Sequence, residues 1–480
     1  MTNSKIKSKA KSGIIWSAIE KLSVQGFQFI IGIILARLLS PNDFGLIGML
    51  AIFFSISQTL VDSGMASGLI QKTDRTEDDF STVFVFNLGV SVIVYFILFN
   101  TAPLIADFFE ESQLIDLTRV VSLMVLINAI SVVQRTRLTI ALDFKSIARI
   151  NLLATLLSGS IAIYGAYIGW GVWALAVQMV VKSILTSSLL WFSSNNRFSL
   201  TFKSDSFKNL FGFGSKLLVA GLYAQLLNNI YNLAIGKKFP TAELGYYTRG
   251  KQFADLSSGT ISGILQQVTF PLLASVKEDK AQMVSIYKKV IQLTAFIIFP
   301  AMTLLTLLAA PLIDVLLGSK WYGVIPLLQW IAIARIITPI SVINMSILNA
   351  IGRSDLFLKL DLAKFPLVAI ALIISIPIGV KAMVIAQVCT TFVAFFMNAY
   401  LPGKLFGYGA LGQIRDMLPI MIATAITGLG VYYCIQYFED PIVKLFGGTL
   451  IGGIVYFGLS YILRIQAFQM IIKEIQNKTK

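Results

Sequence analysis

Phe80-Ser-Thr-Val-Phe-Val-Phe-Asn-Leu-Gly-Val-Ser-Val-Ile-Val-Tyr-Phe-Ile-Leu-Phe-Asn-Thr-Ala-Pro-Leu-Ile-Ala106 contains no charged side chain. Wound as an α-helix it extends roughly 40 Å, enough to cross the ~30 Å hydrocarbon core of a bilayer. Its apolar residues do not alternate with polar ones, which argues against a strand of a membrane barrel. A helix remains, because it satisfies its own backbone in lipid. Outward from this run, 44–61, 217–236, 256–276, 290–313, 382–403, 417–438 and 445–463 read the same way. The 150–181 stretch is long enough for two helices and is broken by Gly169-Trp170-Gly171. Spans bounded by isolated charges, near 13–39, 114–134, 322–350 and 356–378, bring the expected total to about fourteen.

Composition agrees. Of 480 residues, 56% are hydrophobic and 13% charged, about half the charged share of soluble domains. We therefore expect an all-α polytopic membrane protein. The net charge of +15 is tested by topology. With the N-terminus inside, 26 of the 39 Lys and Arg fall in inside segments, 6 in outside loops and 7 within spans, so the cations obey the positive-inside rule and do not imply a nucleic-acid partner. The expected address is a bacterial cytoplasmic membrane with both termini in the cytoplasm. Lys5, Lys7, Lys9 and Lys11 resemble the start of a signal peptide, but the apolar segment that follows carries Glu20 and Lys21 and continues past Arg37, which reads as a retained first helix. There is no histidine, Cys389 and Cys434 lie in apolar runs, and no GxxxxGK[ST] loop occurs. Histidine catalysis, a Cys/His metal site and P-loop nucleotide hydrolysis are excluded, and neither a cofactor nor an enzymatic activity is expected.

A shift of about 200 residues brings similar text into register. Ala36-Arg-Leu-Leu-Ser-Pro-Asn-Asp-Phe-Gly45 lies over Gly236-Lys-Lys-Phe-Pro-Thr-Ala-Glu-Leu-Gly245. Pro103-Leu-Ile-Ala-Asp107 lies over Pro311-Leu-Ile-Asp314, and Ile168-Gly-Trp-Gly171 over Ile378-Gly-Val-Lys381. The expected organisation is two pseudo-symmetric six-helix lobes around a central cleft, 1–192 and 210–402. A cytoplasmic linker at 193–209 joins them, and a helix pair with a tail follows at 403–480. An even number of helices per lobe makes the repeats parallel, the arrangement of a rocking, alternating-access transporter.

Leu35-Ala-Arg-Leu-Leu-Ser-Pro-Asn-Asp-Phe-Gly-Leu-Ile-Gly48, followed by Asp62-Ser-Gly-Met-Ala-Ser-Gly-Leu-Ile-Gln71, resembles the N-terminal signature of the polysaccharide-transporter branch of the MOP exporter superfamily. More narrowly it is similar to Wzx-type flippases of the colanic-acid or lipopolysaccharide class. The resemblance implies movement of undecaprenyl-pyrophosphate-linked oligosaccharide units from the inner to the outer leaflet of the bacterial cytoplasmic membrane. It also implies a monomer among membrane lipids, with a glycan polymerase and glycosyltransferases as partners. The alternatives are a multidrug or cation antiporter and a lipid II flippase of the same superfamily, and a membrane glycan polymerase, which would need a sizeable outer loop that the chain lacks.

Charged and amide side chains within spans are the candidate site, since a mid-bilayer cation costs roughly 2.5–3.5 kcal/mol unless it faces water or a partner. Lys21, Arg249, Lys251 and Arg335, with Lys182, are expected to attract pyrophosphate. Gln25 and Gln28 share a face of the first helix, and Ser55, Gln58 and Asp62 a face of the second. Gln25, Gln28, Gln58, Gln225, Asn228, Asn229 and Asn232, with Tyr223 and Tyr231, are the expected glycan contacts. Glu20, Asp62 and Asp255 are the candidate carboxylates for ion coupling. The competing reading of the polar faces is a buried hydrogen-bond seam between helices.

Overall fold

The computed structural model describes residues 22–193, 200–276 and 279–479. Every described element is helical, and contacts divide the chain into two compact units, Met1–Gly245 and Tyr246–Lys480. Among the described residues, ten helices, the interrupted Leu114–Ile140 counted as one, are long and apolar enough to cross a membrane. Four further helices stand at the remaining expected positions but are short, bent or carry more charge.

The described part of unit 1 begins with α1 (Leu22–Leu38), a short apolar helix, and α2 (Pro41–Asp62). The Ser40-Pro41 turn between them has a local cause. The Ser40 hydroxyl accepts the Asp43 N–H while the Asp43 carboxylate accepts the Ser40 N–H, a capping box with Pro41 at the first helical position. Next come α3 (Met65–Gln71), α4 (Glu77–Phe109), α5 (Leu114–Val121) and α6 (Leu123–Ile140). They are followed by α7 (Phe144–Tyr167), α8 (Val172–Phe192), α9 (Ser204–Lys238) and α10 (Thr241–Ser275), which crosses the unit boundary. Gly169 and Gly171, both with positive φ, make the expected break between α7 and α8. α9 starts inside the expected 193–209 linker and bends by 47° near Gly212–Gly214.

The aligned Pro-turn motifs pack on each other within unit 1. A Cβ at Gly45 would stand 2.0 Å from the Thr241 carbonyl oxygen, and one at Gly245 would stand 2.0 Å from that of Pro41. Matching glycines thus let the first turns of α2 and α10 touch reciprocally, backbone to backbone.

Unit 2 comprises α11 (Lys280–Leu307), α12 (Ala309–Leu316), α13 (Val324–Ala350), α14 (Ser354–Ser375), α15 (Val380–Phe406), α16 (Ala410–Ile435), α17 (Pro441–Ile462) and α18 (Gln466–Thr479). The run expected as one span at 290–313 breaks at Leu308. Its core joins α11, α13 and α16 through Tyr287, Asn344 and Gln413. The Tyr287 hydroxyl donates to Asn344, Asn344 Nδ2 donates to Gln413 Oε1 at 3.1 Å, and Gln413 Nε2 donates to the Tyr287 oxygen at 3.1 Å. A closed ring of bonds satisfies the polar atoms that face one another there, as a buried polar cluster requires.

Helix ends run past the charges that bounded the expected spans. α6 continues through Arg135 and Arg137, and α10 includes Arg249, Lys251 and Asp255. A helix that has left the oil keeps its backbone bonds, so caps end it and charge does not.

Candidate functional site

Unit 1 holds a cavity of about 790 Å³ lined from α1, α2, α3, α6, α7 and α8. Helical periodicity explains its polar wall. Asn128, Ser131, Arg135 and Thr139 follow one face of α6, and Lys182, Ser183 and Thr186 one face of α8. On α2, Gln58 and Asp62 face the same space. Asn128 Nδ2 donates to Gln58 Oε1 at 3.0 Å, and Gln58 Nε2 donates to Asp62 Oδ1 at 3.1 Å. This chain fixes the Gln58 amide and orients the carboxylate. Lys182 is half-buried and makes no ion pair among the described residues. Two cations against one carboxylate leave the wall positive.

The start of α4 is clasped by ion pairs. Three consecutive acids open α4, and each meets a cation from a different segment. Glu77 binds Arg137 through both carboxylate oxygens, Asp78 binds Lys203 at 2.5 Å, and Asp79 binds Lys72 at 2.8 Å. Asp79 also caps α4 by accepting the Thr76 N–H. The Arg137 guanidinium lies over the Phe80 ring, 4.1 Å from its centroid. The hydrogen bond from Lys203 to Asp78 holds the ammonium above its ordinary pKa. At the other end of α4, the hydrogen bond from Lys237 holds Glu110 below the ordinary carboxylate value.

The expected site residues divide. Glu20 and Lys21 lie outside the described residues. Gln25 is exposed and Gln28 half-buried on α1, where Val24 is the residue that lines the cavity. Gln58, Asp62 and Lys182 come together there. On α9, Asn229 Nδ2 donates to the Ser55 hydroxyl at 3.1 Å and to the Gln225 carbonyl at 3.0 Å. Those bonds belong to a seam between α9 and α2, the competing reading of the amide face. Tyr223 and Gln225 are half-buried and Asn228 is exposed. Tyr231 and Asn232 are buried in unit 1 and line none of the described cavities.

In unit 2, Arg335 Nε donates to Asp255 Oδ1 at 2.5 Å, joining α13 to α10. Arg335, expected to attract phosphate, and Asp255, expected to serve ion coupling, are bonded to each other, with the Arg335 side chain 14% and the Asp255 side chain 39% exposed. Lys251, one turn before Asp255, lies within electrostatic reach of both. Arg249 donates to Gln252 on its own helix.

Arg135, Asn128 and Asn151 were not among the expected site residues. The expected span near 114–134 ends one residue before Arg135, whereas α6 continues to Ile140. The signal was present in the spacing Asn128, Ser131, Arg135 and Thr139, a polar face continuing to the end of α6.

The family model described as "Polysaccharide biosynthesis protein" matches residues 34–326. The chain is 24% identical to the teichuronic acid biosynthesis protein TuaB of Bacillus subtilis (strain 168), over 88% of each chain. It is 23% identical to the lipopolysaccharide biosynthesis protein WzxC of Escherichia coli (strain K12), over 82% of this chain and 81% of that one. Among solved structures, the lipid II flippase MurJ in its inward closed conformation aligns with a TM-score of 0.77 at 14% identity, covering 93% of this chain and 98% of that one. An inward-facing multidrug resistance MATE transporter of the MOP superfamily aligns with a TM-score of 0.64 at 18% identity, covering 82% of this chain and all of that one. At these identities the structural likeness establishes the fold. With more than half its length matched by one family model, the chain belongs to the polysaccharide biosynthesis protein family.

Proposed function

We propose that the protein is a flippase, carrying polyprenyl-pyrophosphate-linked oligosaccharide units outward across a bacterial cytoplasmic membrane by alternating access, with both termini in the cytoplasm. One observation carries this reading: a cavity of about 790 Å³, walled by amides and hydroxyls and holding Arg135 and Lys182, inside an otherwise apolar helical unit. A guanidinium and an ammonium replace the hydration that a pyrophosphate loses on leaving water. Amide and hydroxyl groups on Gln58, Asn128, Ser131 and Asn151 both donate and accept, which suits sugar hydroxyls of varied geometry. The polyprenyl chain stays in lipid, so only the head needs a polar path. Names of relatives support the same class of cargo.

Energy is available without nucleotide hydrolysis. A pyrophosphate diester carries about two negative charges, and moving them out of a negative interior releases roughly 2.3 kcal/mol per charge per 100 mV. Asp62, held by Gln58 at the cavity wall, is the carboxylate to test for ion coupling. A cavity for cationic drugs would carry the opposite balance of charge, which disfavours the antiporter reading. The test is flipping of a labelled polyprenyl-pyrophosphate oligosaccharide in proteoliposomes. Arg135→Ala and Lys182→Ala should each slow it roughly tenfold or more, the equivalent of about 1.4 kcal/mol. Flipping at the unaltered rate by both variants, at equal insertion, overturns the proposal.

A further inference from the structure

Unit 2 contains a second polar cavity, of about 290 Å³, at the elbow where α17 turns into α18. Its walls come from three places: Gln292 on α11, Arg415 and Asp416 on α16, and the Leu463–Ala467 turn. Arg464 has a φ of 50°, a left-handed conformation that closes the turn. The turn is anchored, because Ile465 and Ala467 are buried in the core of unit 2 and Phe468 and Ile471 pack against it. Neither the Arg415 nor the Arg464 side chain, both exposed, makes a hydrogen bond or ion pair among the described residues. Gln292 is only 9% exposed, opens to this cavity and has no hydrogen-bond partner among the described residues. Two exposed guanidinium groups beside a nearly buried amide with no protein partner leave this cavity open to an anionic ligand.

The rim indicates what completes it. Arg415 shares a face of α16 with Leu411 and Leu418, and Arg464 follows Tyr461 and Ile462, all large apolar side chains left exposed. Leu411 is 82% exposed and Ile462 73%. Such surfaces belong in acyl chains, so the two arginines stand where hydrocarbon gives way to headgroups. Pro419 has no N–H, which leaves the Arg415 carbonyl without its helical partner, a further acceptor beside Asp416. Two cations and one carboxylate give the site a charge of +1, matched by one phosphodiester.

We infer that this elbow binds the headgroup of an anionic, hydroxyl-bearing glycerophospholipid such as phosphatidylglycerol. Arg415 and Arg464 hold the phosphodiester, Gln292 donates to it, and Asp416 with the Arg415 carbonyl accepts from the glycerol hydroxyls. The acyl chains lie along the exposed faces of α16 and α17. The inference is independent of the proposed transport function.

The experiment uses the full-length protein in nanodiscs of mixed phosphatidylglycerol, phosphatidylethanolamine and phosphatidylcholine, with retained lipid read by native mass spectrometry. Phosphatidylglycerol should be retained above its share of the mixture, and Arg415→Gln with Arg464→Gln should lower that retention about tenfold. Lys473→Gln, an exposed cation of α18 that lines none of the described cavities, should leave it unchanged. Retention equal across the three lipids, an equal loss in Lys473→Gln, no loss in the double variant, or displacement by millimolar inorganic phosphate overturns the inference.

Discussion

The two units treat their intramembrane cations differently. In unit 1, Lys182 and Arg135 face a roomy polar cavity, where Lys182 has no ion pair among the described residues. In unit 2, Arg335 is 14% exposed at its side chain and is bonded to Asp255. The difference teaches that a charge inside a helical bundle is accommodated either by hydrating it or by neutralising it. Only the first leaves it available to a ligand. Similar text at matched places in the chain has therefore not produced matched electrostatics.

The sharpest way to break this comparison is transport. Lys182→Ala and Arg135→Ala should reduce flipping roughly tenfold or more while Arg335→Gln, made together with Asp255→Asn, should leave it within about threefold. A larger loss from the unit 2 pair would reverse the assignment of roles. Next in size is packing: Gly245→Ala puts a Cβ 2.0 Å from the Pro41 carbonyl oxygen, and should cost about 1–3 kcal/mol or more, read as a lower thermal midpoint of the purified protein. Comparable in size is the unit 2 pair itself. Asp255→Asn alone should cost about 1–3 kcal/mol, less than a fully buried pair because the Asp255 side chain is 39% exposed. Addition of Arg335→Gln should recover part of that loss. Smallest are the ion pairs at the two ends of α4, which separate by pH. The Lys237 bond lowers the Glu110 pKa, so its stabilisation is present above the ordinary glutamate value and is lost as pH falls through the lowered one. Lys203 is raised, so its contribution holds below the ordinary lysine value and is lost as pH rises through the raised one. Lys237→Gln should reduce the acid-side dependence of the thermal midpoint, and Lys203→Gln the alkaline-side one.

Much of the fold was legible because oil is an undemanding reader. The 80–106 run has one solution in lipid, and α4 occupies it. The Pro-turn repeat was equally readable, and its glycines meet at Gly45–Thr241 and Gly245–Pro41. The site was legible in part. Gln58 and Asp62, placed on one helical face, and Lys182, singled out as a cation within a span, line one cavity, whereas Asn229 bonds Ser55 and Arg335 bonds Asp255. Periodicity says that a residue faces inward. It does not say whether another helix already stands there.

The sequence alone determined that this chain is a series of helices apolar and long enough to cross a membrane, without histidine chemistry and rich in cations. Those properties follow from local hydrophobicity and from charge counts, which need no knowledge of neighbours. Tertiary structure decided which cations are hydrated and which are neutralised, because that depends on distances of a few ångströms between helices far apart in the chain. Arg335 and Asp255 are eighty positions apart, yet they are bonded at 2.5 Å. Lys182 and Arg135, forty-seven apart, instead line one cavity.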